Sequence, residues 1–446
     1  MTSPFIKHAA TLGLCIFLIA PQTPASDQIP AKKQLRPIAI VGATLHPVTS
    51  SVIENGTILF DKGKITGLGT SVNIPDGAEV INASGKHVYP GLISADTYIG
   101  LVEIGAVRAS VDRTETGKIN PNVRAEAAVN PESELIPVAR ANGVTVAVSS
   151  PSGGVISGTS AILMMDGWTR EDMTLKAPAA LYVNWPSMRI STAPWIQKTE
   201  EEQKKERDAA VKELTNAFRE ARAYMNAKRA EQSGGLPYHN VDVRWEAMVP
   251  VLEKKVPVVV WASDIRQIES AVAWAKQEDI SLIIGEGHDA WRVADLLKKN
   301  NVSVLAGGIL RLPDRRSEAY DDPFALPAKL YRAGIQFAII SADDAAHERN
   351  LPYHAAMAAA YGLPKDEALK AITLYPAQMF GVADRVGSLD VGKDATLIIT
   401  TGDPLEIMNA VEMEYIQGRR IDLTSKHTIL YEKYKEKYRR MKDESH

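Results

Sequence analysis

The distribution of apolar and polar positions divides the chain into two kinds of territory. Between Pro37 and Pro90, short apolar stretches alternate with turns: Ile38-Ala39-Ile40-Val41, Gly56-Thr57-Ile58-Leu59-Phe60 and Lys64-Ile65-Thr66-Gly67-Leu68. The same texture returns at Ala395-Thr396-Leu397-Ile398-Ile399-Thr400 and at Met413-Glu414-Tyr415-Ile416-Gln417-Gly418. Two distant β segments of one character predict a small β-sandwich built from both ends of the chain, over 37–90 and 377–424.

Between these ends, near-continuous apolar runs of strand length alternate with helical patterns. Eight are counted, at 88–95, 144–149, 160–165, 179–185, 257–263, 281–285, 303–307 and 336–341. Runs of this kind suit parallel strands covered by helices. Eight of them predict an α/β fold, a (β/α)8 TIM-type barrel over 91–376, with a doubly wound open sheet as the alternative. A stretch dense in Glu, Lys, Arg and Ala, 198–232, carries one weak apolar stripe (Leu214, Phe218, Tyr224) and reads as a mostly solvated helix inserted after strand four. The tail, 425–446, reads as a surface helix bearing Leu430, Tyr431, Tyr434 and Tyr438.

Composition changes this picture little. Of 446 residues, 45% are hydrophobic and 24% charged, as in ordinary globular proteins. The net charge of −3 gives no electrostatic reason to expect a nucleic acid or an acidic membrane as partner. Residues 1–26 read as an export signal: Lys7 and His8, an apolar run from Ala9 to Ala20, then the small residues of Thr23-Pro24-Ala25-Ser26. The expected destination is the periplasm, with no membrane attachment after cleavage. The single cysteine, Cys15, lies inside that run, so the processed chain needs no disulfide.

In such a barrel the chemistry sits where the strands end. Strand one is followed by Asp96, Tyr98 and Glu103, and strand four supplies Tyr182 and Asn184. Strand five ends in Trp261-Ala262-Ser263-Asp264, and strand six in Gly285-Glu286-Gly287-His288-Asp289. Strand eight ends in Ser341-Ala342-Asp343-Asp344, with His347 beyond. A polar loop from Arg108 through Arg113 to Glu126 is a candidate substrate lid or a solvated excursion. The glycine-serine loop 151–160 is a candidate anion site or a plain turn.

The stretch Val88-Tyr89-Pro90-Gly91-Leu92-Ile93-Ser94-Ala95-Asp96-Thr97-Tyr98 resembles the first-strand motif P-G-[LF]-I-D-x-H-x-H of the amidohydrolase superfamily. Pro376-Ala377, Val386-Gly387-Ser388-Leu389-Asp390-Val391-Gly392-Lys393-Asp394-Ala395 and Gly402-Asp403-Pro404-Leu405 resemble that family's closing signature. The likeness runs from Pro37 to Arg420 and is nearest to exported, imidazolonepropionase-like members. It implies one or two divalent metals that activate water against a C–N bond. The implied ligands are H-x-H on strand one, lysine or glutamate on strand four, histidines on strands five and six, and an aspartate on strand eight.

This chain departs from that set, with Asp96 and Tyr98 for the first pair, Tyr182 on strand four, and Trp261 and Ser263 on strand five. What the resemblance leaves is Asp96, His288 and Asp343 as ligands of one divalent metal, whether zinc, iron or manganese. Asp343 or Asp344 is then the general base. His347, Glu103, Arg108 and Tyr182 are the candidate substrate contacts. The expected activity is hydrolysis of a C–N bond in a small cyclic amide or dipeptide-like substrate. The alternatives are a ligand-binding protein on an enzyme's fold, or a homodimeric or heteromeric partner of an intact paralogue.

Overall fold

The computed structural model describes residues 28–235 and 237–443. The expected export signal, 1–26, lies outside the described residues. The chain begins with five strands, β1 (Ile38–Leu45), β2 (Ile53–Asp61), β3 (Lys64–Gly69), β4 (Glu79–Asn82) and β5 (His87–Pro90). The central region holds β6 (Leu92–Thr97), β7 (Val144–Ser149), β8 (Ile156–Thr159), β9 (Ala161–Met164), β10 (Thr174–Lys176), β11 (Leu181–Asn184), β12 (Val258–Ala262), β13 (Leu282–Glu286), β14 (Ser303–Ala306) and β15 (Phe337–Ile339). Three strands close the chain, β16 (Leu397–Thr400), β17 (Val411–Ile416) and β18 (Arg419–Arg420).

The two ends of the chain do meet. They form a single eight-stranded sheet, ordered β18-β17-β16-β5-β1-β2-β3 with β4 beside β1. Alternation drives it: Ile38 and Ile40, Ile58 and Phe60, Leu397 and Ile399, and Tyr415 collect in one buried cluster. The expected sandwich is thus seen as one sheet covering its own core. The apolar run expected to start at residue 88 is split at Gly91. β5 belongs to this sheet and pairs with β16, whereas β6 pairs with β7. A Cβ at Gly91 would lie 2.0 Å from the Thr145 hydroxyl, so only glycine lets the chain pass there.

The central strands form a four-stranded sheet, β10-β9-β7-β6, and a six-stranded one, β15-β14-β13-β12-β11-β8. Strands β11 to β15 are parallel. The two sheets share one interior. Ile93 and Ala95, Val146 and Val148, Ile162, Tyr182, Val259, Ile283, Leu305 and Ala338 pack in a single cluster, as in the filled centre of a TIM-type barrel. Ile93 and Ile339 donate backbone hydrogen bonds of 2.8 and 2.9 Å to Ile372 and Ala371, which lie between β6 and β15.

One expectation is corrected. The third strand is not parallel. It runs as β8 and β9 around Ser160, antiparallel to β11 on one side and to β7 on the other. Only residues 150–155 separate β7 from β8. A parallel return needs a crossover of about a dozen residues or more, so the chain must turn back on itself.

The inserted helix is Glu200–Gln232, opened by a capping box between Thr199 and Glu202. It is less solvated than expected. Its second half buries Leu214, Ala217, Phe218, Ala221, Tyr224 and Met225 at helical spacing, and Phe218 meets Trp274 edge-on at 5.0 Å. The helix Lys426–Asp443 buries no residue.

Candidate active site at the strand ends

The C-terminal ends of the parallel strands deliver a buried polar cluster. At its centre is Asp96, on β6 and only 6% exposed. Its Oδ1 accepts a 2.7 Å hydrogen bond from the Ser150 hydroxyl, just beyond β7. The Tyr182 hydroxyl, from β11, lies beside Asp96, Ser150 and Ser160, fully buried and without a well-formed hydrogen bond. Burial pushes the Asp96 carboxyl up to about 7. The hydrogen bond from Ser150 and the nearby Tyr182 hydroxyl oppose that rise, and the neighbouring carboxylates Glu348 and Glu286 add to it.

Two more carboxylates line this region, each held by a serine. Glu286 ends β13 and accepts a short hydrogen bond from the Ser263 hydroxyl, just past β12. Its backbone has φ of 64°, a left-handed conformation that costs a non-glycine residue roughly 1–2 kcal/mol. Strain of that kind concentrates at working sites. Glu348, fully buried, accepts 2.8 Å from the Ser341 hydroxyl, while its Oε1 is unpartnered. Burial raises its pKa.

Aromatic groups complete the wall. Trp261 reaches across from β12 and tilts against Tyr182, with ring centroids 6.2 Å apart. Its ring lies on Gly285, where a Cβ would come within 2.4 Å of Trp261 Cε3. Tyr98 carries the Arg113 guanidinium 4.4 Å above its ring. Burial raises the Tyr98 pKa, and Asp96 adds to the rise.

The other residues singled out from sequence have different surroundings. Asp343 is half exposed, with Oδ2 3.1 Å from His347 Nδ1 and Oδ1 accepting 2.7 Å from the Asp344 amide. Asp344 is exposed and caps the short helix Ala345–Asn350 by accepting 3.0 Å from the Ala346 amide. His347 is exposed. Glu103 accepts from the Ser133 hydroxyl at 2.5 Å and from the Glu134 amide at 3.0 Å, at the start of the helix Leu135–Arg140. Arg108 is exposed and donates 2.7 Å to the Val111 carbonyl within its own turn. His288 stands 3.5 Å from Asp314, and burial followed by the nearby Arg311 lowers its pKa. Of the substrate contacts, Tyr182 alone is in the buried cluster.

Glu286, Glu348, Ser150 and Ser263 are the members that sequence reasoning did not assign. Glu286 stands in the strand-six ending, two residues before His288. Glu348 lies four residues past Asp344, inside the short helix Ala345–Asn350 that Asp344 caps, and turns inward where Asp344 faces solvent.

The divalent metal implied by the resemblance finds a poor fit. Zinc sites draw on imidazole, thiolate and carboxylate donors. Here the strand-four and strand-five positions hold a phenol and an indole, and Asp96 Oδ1 is taken by Ser150. His288 faces Asp314 beside a guanidinium. Among the described residues, no three of His, Cys, Asp and Glu stand close enough to share an ion, so Asp96, His288 and Asp343 do not form the expected set.

Residues 281–421 match the model of the amidohydrolase family. The chain is 21% identical over 390 residues to the amidohydrolase tasK of Hapsidospora irregularis, covering 81% of this chain. It spans only 39% of that curated relative's length. An amidohydrolase from Thermotoga maritima MSB8 superposes with a TM-score of 0.76 at 26% identity, over 86% of this chain and 99% of its own. Molinate hydrolase superposes with a TM-score of 0.53 at 15% identity, over 89% and 96% of the two chains, a likeness of fold. With the shared strand-one and closing motifs, this chain is similar to the amidohydrolase superfamily, in sequence over residues 281–421 and in fold over 86% of its length.

Proposed function

We propose that the protein is a hydrolase that cleaves a C–N bond, other than an ordinary peptide bond, in a small cyclic amide or dipeptide-like substrate. Similarity to amidohydrolases over residues 281–421 supports the reaction class. The observation that carries the reading is Asp96, a buried carboxyl at the barrel mouth whose pKa of about 7 suits proton transfer near neutrality.

In this reading ionised Asp96 takes a proton from water as the water oxygen bonds to the substrate carbonyl carbon. The carbonyl π pair moves onto its oxygen, and the Tyr182 hydroxyl donates to that oxyanion. The tetrahedral centre collapses, the C–N bond breaks, and the leaving nitrogen takes the proton back from Asp96. Water is the only co-reactant. No step passes through a metal ion, since the donor set does not fit one.

The test is a screen of cyclic imides, N-acyl amino acids and dipeptides, with products identified by mass. The expected result is turnover of one class, reduced by about 10²–10⁴-fold in Asp96→Asn. Saturable binding without turnover by any member would replace this reading with that of a binding protein. Trp261, seated across the mouth, is what favours the second reading.

The periplasm is the proposed location, on the character of residues 1–26. Among the described residues, no helix is long and apolar enough to cross a membrane. A homodimer or a pairing with a paralogue is proposed as the state of assembly, on the exposed Tyr431, Tyr434 and Tyr438 of the last helix.

A further inference from the structure

The mouth is rich in carboxylates. Glu348 and Glu286 both act on Asp96 there, raising its pKa. Arg113 stands at its rim. Its guanidinium lies over Tyr98, and Tyr98 in turn feels Asp96 and Glu286. Its backbone is fixed: the Arg113 carbonyl accepts 2.7 Å from the Ser152 amide, and bridges at Thr114–Ser152, Ile119–Ile156 and Arg124–Thr159 continue that seam. The candidate lid and the glycine-serine loop are therefore zipped together above the site.

The Arg113 side chain differs from its neighbours in what it lacks. Arg108 donates to Val111, Arg124 pairs with Glu126 at 3.6 Å, and Arg140 pairs with Asp166 at 3.2 Å. Among the described residues, the Arg113 guanidinium has no ion pair and no side-chain hydrogen bond. Its contact with Tyr98 uses none of its five N–H donors. A planar fork of donors, held in place and unpaired, is matched by a carboxylate, which it binds through two parallel hydrogen bonds.

We infer that Arg113 is a specificity-determining residue that binds a carboxylate group of the substrate at the rim of the mouth. The inference rests on reading the mouth as a substrate site, and it narrows the substrate class to amides that carry a free carboxylate, such as N-acyl amino acids. The carboxylates of the mouth repel a substrate carboxylate, and Arg113 is the cation placed beside Tyr98 to offset that repulsion.

The test is calorimetric binding to the full chain, which needs no turnover. The probes are N-acetylglycine, N-acetylproline and N-acetylphenylalanine, their methyl esters, and inorganic phosphate. At least one acid is expected to bind roughly tenfold or more tightly than its ester, the scale of a hydrogen bond to a charged group. Arg113→Met should abolish that preference and Arg113→Lys should keep part of it. Asp96→Asn should leave the preference intact while removing turnover, so that failure of the hydrolytic reading and failure of this one remain distinct. Equal binding of acid and ester, no binding of any acid, a preference unchanged in Arg113→Met, or phosphate bound as tightly as the best acid would each overturn the assignment.

Discussion

The Ser150 hydroxyl donates a 2.7 Å hydrogen bond to Asp96 Oδ1 across the ends of β7 and β6. That bond stabilises the charged form of a carboxyl that burial drives toward neutrality, and burial wins, at about 7 against an ordinary value of 3.8. The consequences can be measured.

Activity should depend on pH through this group. If Asp96 acts in its ionised form, kcat/KM rises as pH climbs through about 7 and levels off above it. Ser150→Ala removes a bond that favours the charged form, so the inflection moves to higher pH. A profile flat between pH 5 and 9 would contradict the assignment of Asp96 as base.

The same group makes a statement about stability. Unfolded, Asp96 loses its proton near 3.8; folded, near 7. Between those values the folded state holds a proton that the unfolded state has lost, so raising the pH destabilises the fold across that window and not beyond it. The full difference is on the order of 4 kcal/mol. Asp96→Asn should therefore unfold at higher denaturant than the parent at pH 8, and the gap should shrink as pH falls toward 4. Urea titrations at several pH values check this; a variant less stable than the parent at pH 8 would count against it.

Much of this architecture was legible in the sequence, and the failures have identifiable causes. All eight central apolar runs are strands, and both chain ends meet in one sheet, because alternation and continuous apolar runs report burial directly. The reversed third strand was hidden in a loop too short for a crossover, which is a matter of length and not of polarity. Asp343 and Asp344 are adjacent carboxylates at a strand end, but an acidic residue there also caps a helix, and Asp344 does so. The buried partners Ser150, Ser263 and Glu348 carry no periodicity of their own. They become visible only when the strands that hold them are side by side.

Gly285 is predicted to be sensitive to the smallest change. In Gly285→Ala the new methyl group would lie 2.4 Å from Trp261 Cε3, and the indole must move. Overpacking of this kind costs about 1–3 kcal/mol. Urea unfolding should show a loss in that range, with altered tryptophan emission. A variant with the parent's midpoint and spectrum would show that Trp261 is not seated on β13.

The junction between the central strands and the composite sheet rests on a buried ion cluster. Asp166 accepts from Arg140 at 3.2 Å and pairs with Arg419 at 3.0 Å, and the Ala31 amide reaches it at 3.2 Å. Glu414, fully buried with both carboxyl oxygens unpartnered, has its pKa raised by burial and held back by Arg140. Arg140→Met leaves Asp166 to Arg419 alone and removes the cation beside Glu414, and should cost about 3–5 kcal/mol, against less than that when Glu414 is itself neutralised as Glu414→Gln in the double variant. Thermal unfolding of the single and double variants separates the two cases; equal losses would mean that Glu414 and Arg140 are not coupled.

The central claim is that the mouth works through its own carboxylates. It is tested most directly by assaying the full chain on its best substrate from the screen after exhaustive dialysis against a chelator, with metals counted in the same sample by elemental analysis. The account predicts undiminished hydrolysis by metal-free protein. Activity that vanishes with the metal and returns on adding zinc, iron or manganese would contradict it.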